Sequence, residues 1–109
     1  CITIHGTNKV RLENNVCYDF KGHGFFLEDG DEVDNEIRGN LGILSKYPTS
    51  QKFLLASDNP ENGSQIRRFH AVSTFWISNP QNIVVGNVAS GSVGTGFWMS
   101  FTGPVQRFN

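Results

Sequence analysis

Residues 15–27, Asn-Val-Cys-Tyr-Asp-Phe-Lys-Gly-His-Gly-Phe-Phe-Leu, return 72 positions later as residues 87–99, Asn-Val-Ala-Ser-Gly-Ser-Val-Gly-Thr-Gly-Phe-Trp-Met. Seven positions align without a gap: Asn15 with Asn87, Val16 with Val88, Gly22 with Gly94, Gly24 with Gly96, Phe25 with Phe97, Phe26 with Trp98 and Leu27 with Met99. A shorter echo, Ile37-Arg38-Gly39-Asn40-Leu41 against Val85-Gly86-Asn87-Val88, places Asn40 25 residues after Asn15 and 47 before Asn87. A period in the twenties, with short apolar runs broken by Gly and Asn, marks a solenoid in which each turn of chain is one coil. The expected fold is all-β, a right-handed parallel β-helix of about four coils, read as a single segment over residues 1–109. The long second interval then holds one coil plus an inserted loop at about residues 46–70, rich in Pro, Ser, Asp, Asn and Gly.

Strands of neighbouring coils stack at roughly 4.7–4.9 Å, so matching positions become ladders along the axis. Asn15, Asn40 and Asn87 are expected to form an internal asparagine ladder at a corner, their amides bonded to one another and to the bent backbone. Gly22, Gly24, Gly94 and Gly96 are expected at corners with positive φ. A dinucleotide-binding loop would need a third glycine and a following helix, and neither is present. Alternation along strands makes Val10, Leu12, Val16, Phe26, Leu41, Ile43, Phe75, Ile77, Ile83, Val85, Val88 and Phe97 the expected core. Trp76 and Trp98 are expected to pack in the wall rather than stack on sugar rings. Open ladder edges at the ends of a short stack favour further stacking, so further β-helix coils or neighbouring chains are expected there.

Length and composition exclude several classes. A chain of 109 residues suits one small domain, and 38% hydrophobic with 17% charged residues suits a globular one. Nine Lys+Arg against ten Asp+Glu leave a net charge of −1, which argues against a nucleic-acid binder held by phosphate contacts. No apolar run is long enough for a transmembrane segment. The run opening at Cys1 has no leader and reads as a piece of a longer protein. Two cysteines, Cys1 and Cys17, are too few for a disulfide scaffold, and their pairing is left open by sequence. Asn62-Gly63-Ser64 is a candidate glycosylation acceptor at Asn62.

The repeat also separates what the coil requires from what it does not. The second copy has Thr95 for His23, Ser100 for Glu28, Phe101 for Asp29 and Gly91 for Asp19, and His5 falls opposite Ile77 at the same offset. These five ionisable residues, His23, Glu28, Asp29, His5 and Asp19, are the candidate catalytic set. Residues 28–36 hold six acids and no base, leaving four acids against nine bases elsewhere, and Arg38, Lys46, Lys52, Arg67 and Arg68 flank the run. Basic residues beside carboxylates suit an anionic polysaccharide, with Arg67, Arg68, Lys46 and Lys52 as candidate substrate-binding groups. Asp29, Asp31 and Glu32 offer hard oxygen ligands for Ca2+ without the EF-hand order, while a solvated acidic turn is the plainer reading. His5, His23 and His70 lack zinc-ligand spacing. Two chemistries fit: hydrolysis between two carboxyl groups, or elimination with a cation neutralising the uronate and a base such as His23. No Gly-x-Ser-x-Gly elbow or phosphate-binding loop is present.

At Cys1-Ile2-Thr3-Ile4-His5-Gly6-Thr7-Asn8, Gly22-His23-Gly24-Phe25-Phe26-Leu27-Glu28-Asp29-Gly30, Asn40-Leu41-Gly42 and Ser73-Thr74-Phe75-Trp76-Ile77-Ser78-Asn79-Pro80-x-Asn82, the chain resembles a known family. The likeness is to the β-helix repeats of the cell-migration-inducing and transmembrane cell-surface hyaluronidases and their fibrocystin-type relatives, over roughly residues 1–104. The resemblance implies an extracellular or cell-surface location, a larger parent, hyaluronan as candidate substrate, a depolymerase activity and calcium dependence. Two departures stand out: Gly24 occupies a position where those relatives carry Cys, and Ser57 to His70 is shorter than their cysteine-containing insertion. Fibrocystin-type members share the fold without an established hydrolytic role, which supplies the alternative of a non-catalytic structural or adhesive module of a cell-surface, coat or ciliary glycoprotein.

Overall fold

Gly and Asn punctuate the chain so often that no strand among the described residues exceeds six residues, and short parallel strands are stable only when stacked. The computed structural model describes residues 1–49 and 72–101. Its strands are β1 (Ile2–Ile4), β2 (Arg11–Glu13), β3 (Val16–Lys21), β4 (Phe25–Leu27), β5 (Glu36–Arg38), β6 (Leu41–Lys46), β7 (Ser73–Ile77), β8 (Ile83–Val85), β9 (Val88–Ser90) and β10 (Thr95–Met99). All pair in parallel, in three sheets ordered β1-β4-β7-β10, β2-β5-β8 and β3-β6-β9. Every third strand returns to the same wall, which is a parallel β-helix. Among the described residues there are three complete coils and the opening strand of a fourth, where about four coils were expected.

The register in the third sheet carries the 25- and 47-residue spacings, with Val16 on Leu41 and Leu41 on Val88. The first sheet runs differently. Ile4 lies beside Leu27, and Phe25 beside Phe75, so the spacings there are 23 and 50. His5 is therefore the stack neighbour of Glu28 and not of Ile77, one residue off the expected alignment. After residues 47–72 the stack resumes in register, β7 beside β4 and β9 beside β6. Most of the expected loop at 46–70 lies outside the described residues; Lys46 itself ends β6.

The asparagine ladder is present. Asn40 Oδ1 accepts from the backbone N–H and Nδ2 of Asn15 at 3.0 and 2.9 Å, and Asn87 Oδ1 accepts from the same two groups of Asn40 at 2.9 and 3.0 Å. Asn40 Nδ2 also donates to the Leu12 carbonyl, and Asn87 Nδ2 to that of Ile37. Each rung follows a left-handed residue, Asn14 (φ 56°), Gly39 (φ 62°) or Gly86 (φ 66°), which turns the chain from the second sheet into the third. A second ladder was not expected from sequence. Asn82 Oδ1 accepts from Asn35 N–H and Nδ2, both at 3.0 Å, and Asn35 Oδ1 accepts from Val10 N–H at 2.9 Å.

Of the four repeat glycines, Gly22 alone adopts positive φ, at 83°. Gly24 is needed for a different reason: a Cβ there would lie 2.6 Å from the Thr74 carbonyl oxygen and 2.9 Å from the Phe20 ring.

A column of rings fills the coil interior. Phe25 stacks on Phe75 and Phe75 on Phe97, each at 4.7 Å between centroids. That column corrects the expected core. Phe75 and Ile77 are buried, and Val10 and Leu12 pack against the core, as expected. Val16, Ile83, Val85 and Val88 instead face solvent, with Val16 66% exposed, and Leu41 and Ile43 share the half-buried outer face. The inward positions beside the rings go to Cys17, Gly42 and Ala89 in the third sheet and Leu12, Ile37 and Val84 in the second. Phe26 lies on the outer face of β4, Phe25 taking the interior. Phe97 faces inward, but its strand has no described neighbour on the far side, which leaves it 40% exposed. Cys1 and Cys17 form a disulfide that closes the first coil.

Candidate functional site

Strands β1 and β4 end side by side, and the residues that follow them leave the sheet together. Glu28 N–H donates to the Ile4 carbonyl at 3.2 Å, which fixes Glu28 against the backbone from which His5 projects. His5 Nδ1 then lies 3.1 Å from Glu28 Oε2 and 2.8 Å from Asp29 Oδ2. The His5 side chain is 67% exposed, Asp29 46% and Glu28 25%, so the cluster opens to solvent at the corner between the first and second sheets.

Behind this corner sits Glu32, wholly buried. Its Oε1 accepts from Gly6 N–H at 3.2 Å and Asp29 N–H at 3.0 Å, and its Oε2 from Gly30 N–H at 2.9 Å. Three amide donors compensate the burial of a carboxylate and tie the His5 turn of one coil to the Asp29 turn of the next. Oxygens of Asp29, Asp31 and Glu32 come within 4.8 Å of one another, as do the ligand atoms of His5, Glu28 and Asp29. Glu32, read from sequence as a possible cation ligand, already spends three of its roughly four acceptor positions on backbone.

The third coil makes the same corner without charge. Ser78 follows β7 and donates to the Leu27 carbonyl at 2.8 Å, and Asn79 Nδ2 donates to the Gly30 carbonyl at 2.9 Å. The fold thus needs polar backbone partners at this corner, whereas the outward ionisable groups belong to the first two coils alone among the described residues.

The other sequence candidates do not join them. His23 precedes β4 and Glu28 follows it, so the two stand about 16 Å apart at 3.3 Å per residue. His23 Nδ1 accepts from Ser73 N–H at 3.2 Å, and its ring lies 4.7 and 4.8 Å from those of Phe26 and Trp76. It belongs to an aromatic wall that continues from Trp76 to Trp98, stacked at 5.8 Å. Trp76 is buried, in keeping with wall packing. Asp19 stands on the third sheet at a left-handed corner (φ 54°), ion-paired with Lys46, which removes Lys46 from the acidic corner as well. Lys52, Arg67, Arg68 and Asn62 lie outside the described residues. On the second sheet Arg38 Nε donates to Glu36 Oε2 at 2.9 Å, with Arg11 at 3.5 Å. The Arg38 hydrogen bond, assisted by the charges of Arg11 and Arg38 and opposed by partial desolvation, holds the Glu36 carboxyl below its ordinary value. A cavity of about 370 Å³ lined by Ile77, Asn79, Pro80, Asn82, Val84, Met99 and Phe101 contains no titratable side chain.

The family model described as CEMIP beta-helix matches residues 1–107. The chain belongs to this family. Among curated relatives, human cell surface hyaluronidase CEMIP2 is 38% identical over 93% of the chain, covering 8% of that protein. The mouse cell migration-inducing and hyaluronan-binding protein is 38% identical over 95% of the chain and 9% of its own length. Mouse fibrocystin-L is 37% identical over 89% of the chain and 2% of its own length. The chain thus spans less than a tenth of these relatives. No solved structure matches it. No helix among the described residues is long and apolar enough to cross a membrane.

Proposed function

We propose that this CEMIP beta-helix segment is an extracellular module of a hyaluronan-depolymerising protein and that His5, Glu28 and Asp29 face the polysaccharide. The observation carrying this reading is one imidazole nitrogen within 3.1 Å of two carboxylates from the neighbouring coil, in the open. Such a group can donate a proton to a glycosidic oxygen from one carboxyl while the other stays ionised, or hold a cation against the uronate while a base takes the adjacent proton. Calcium at Asp29 and Asp31, with Glu32 behind them, is part of the same proposal. The relatives' names support hyaluronan as the partner, and the Cys1–Cys17 disulfide supports an oxidising compartment.

The test uses the full parent protein with Ca2+ and high-molecular-weight hyaluronan, read by size exclusion. His5→Ala, Glu28→Gln and Asp29→Asn are expected to slow chain shortening by about 10²-fold or more, the usual reach of a positioned acid or base. Unsaturated uronate ends, seen by ultraviolet absorbance, distinguish elimination from hydrolysis. Equal rates for wild type and all three variants would reject the assignment. The non-catalytic reading draws on a separate observation: His23 and Asp19 stand apart, and Glu32 serves the backbone. It predicts intact hyaluronan together with a Ca2+-dependent rise in unfolding temperature that Asp31→Asn removes.

A further inference from the structure

Coil stacking assembles a ligand set that linear spacing conceals. His5 is separated by 23 and 24 residues from Glu28 and Asp29, yet its Nδ1 is within 3.1 Å of an oxygen from each. We infer that His5 Nδ1, Glu28 Oε2 and Asp29 Oδ2 form a binding site for a first-row divalent transition metal such as Zn2+, Mn2+ or Co2+.

The distances carry the argument. An octahedral ion with bonds of about 2.1 Å sets neighbouring ligands about 3.0 Å apart, and tetrahedral zinc sets them about 3.4 Å apart. His5 Nδ1 stands at 2.8 and 3.1 Å from the two oxygens, and all three ligand atoms lie within 4.8 Å of one another, close enough to converge on one ion. An imidazole nitrogen also selects against calcium, which takes six to eight oxygens at 2.3–2.6 Å. The frame is fixed beforehand. Buried Glu32 clamps the amides of Gly6 and Asp29, Glu28 N–H is bonded to Ile4, and the His5 carbonyl accepts from Thr7 Oγ1 at 2.8 Å. Among the described residues, His5 is the one ion-pair partner of Glu28 and Asp29, and all three side chains are open enough for an ion to enter. Three protein ligands leave positions for water or an anionic oxygen. The inference does not rest on the hyaluronan reading, because metal binding is measured without sugar.

The experiment is a Co2+ titration of the purified protein, followed by visible absorption and by NMR of the histidine rings, with Zn2+ and Ca2+ as competitors. One equivalent of Co2+ is expected to bind, broaden the His5 resonances, leave with Zn2+ and resist equimolar Ca2+. His5→Ala and Glu28→Gln are expected to weaken binding at least about tenfold, and Asp31→Asn less than about twofold. Broadening in the wild type keeps the test decisive should either variant fail to fold. Unaffected His5 resonances, equal Co2+ affinity in folded wild type and His5→Ala, or displacement of Co2+ by equimolar Ca2+ would overturn the site.

Discussion

Replacing Asn40 with Ala removes the central rung of the asparagine ladder. The side chain is wholly buried, and it makes four hydrogen bonds: two accepted from Asn15, one donated to Leu12 and one to Asn87. A hydrogen bond contributes about 0.5–1.5 kcal/mol net, and a buried group left unpaired costs about 1–3 kcal/mol. Because the backbone N–H of Asn40 keeps its own acceptor on Asn87, the expected loss is about 3–4 kcal/mol. Domains of this size are stable by about 5–15 kcal/mol, so much of the margin disappears. The unfolding temperature should fall by on the order of 15–25 °C, at roughly 4–8 °C per kcal/mol. Asn8→Ala is the control, since its exposed side chain accepts a single bond from Val33 N–H and its loss should stay under about 1 kcal/mol. Asn40→Asp keeps the acceptor for Asn15 but turns a second oxygen toward the Leu12 carbonyl and Asn87 Oδ1, so it should rescue nothing. Urea unfolding of the three variants in the parent protein provides the measurement. A shift for Asn40→Ala no larger than that for Asn8→Ala, or a wild-type-like Asn40→Asp, would refute the ladder as a source of stability.

Three further outcomes concern the packing of the coils, the disulfide and the Glu36 ion pair. A Cβ at Gly42 would lie 2.1 Å from Thr74 Cγ2, so Gly42→Ala should destabilise by about 1–3 kcal/mol, and adding Thr74→Ser, which deletes that methyl, should recover most of the loss in thermal melts. Removing the Cys1–Cys17 bond, which spans 16 residues, by Cys17→Ser should cost about 3 kcal/mol, checked by urea unfolding with and without reductant; identical midpoints for wild type under both conditions would contradict it. The carboxyl of Glu36 is held below its ordinary 4.5 chiefly by the Arg38 hydrogen bond, so its contribution to stability is complete above that pH and fades as acid protonates the folded state. Arg38→Gln should move the Glu36 titration back toward 4.5 in carboxyl NMR, and an unmoved titration would discount the pair.

The stack itself was legible because its corners are written in a restricted alphabet. A rung asparagine must present both an acceptor and a donor, and the residue before it must turn left, which leaves the Asn-Asn or Gly-Asn pairs visible at 14–15, 39–40 and 86–87. The second ladder is masked in the sequence because Val10 stands at its first rung, though Asn35 and Asn82 repeat the 47-residue interval five positions before Asn40 and Asn87. The inward phase departs from the expected one for a reason of volume. Three phenylalanines occupy the lumen, so the third sheet can supply only Cys17, Gly42 and Ala89 on that side, and its large apolar residues go outside. Size, taken as a guide to burial, pointed the wrong way at Val16 and Val88. The acidic corner was half legible. Comparing repeats singles out His5, Glu28 and Asp29, which the structure brings together, although His5 is compared there with Ile77 and stacks instead on Glu28; the comparison carries no information on height along a strand, which is what sends His23 to the far end of β4.

The third sheet resumes at β9 in step with β6, Leu41 on Val88, although 47 residues separate these partners where 25 separate Val16 from Leu41. The entropy of joining two points of a chain grows only with the logarithm of the length between them, about 0.6 kcal/mol per doubling. Because the rungs on either side hold the two coils together, chain can be added or deleted between them at small cost. A descendant protein could exchange that stretch wholesale, acquiring a new surface while the rod beneath it stays as it was.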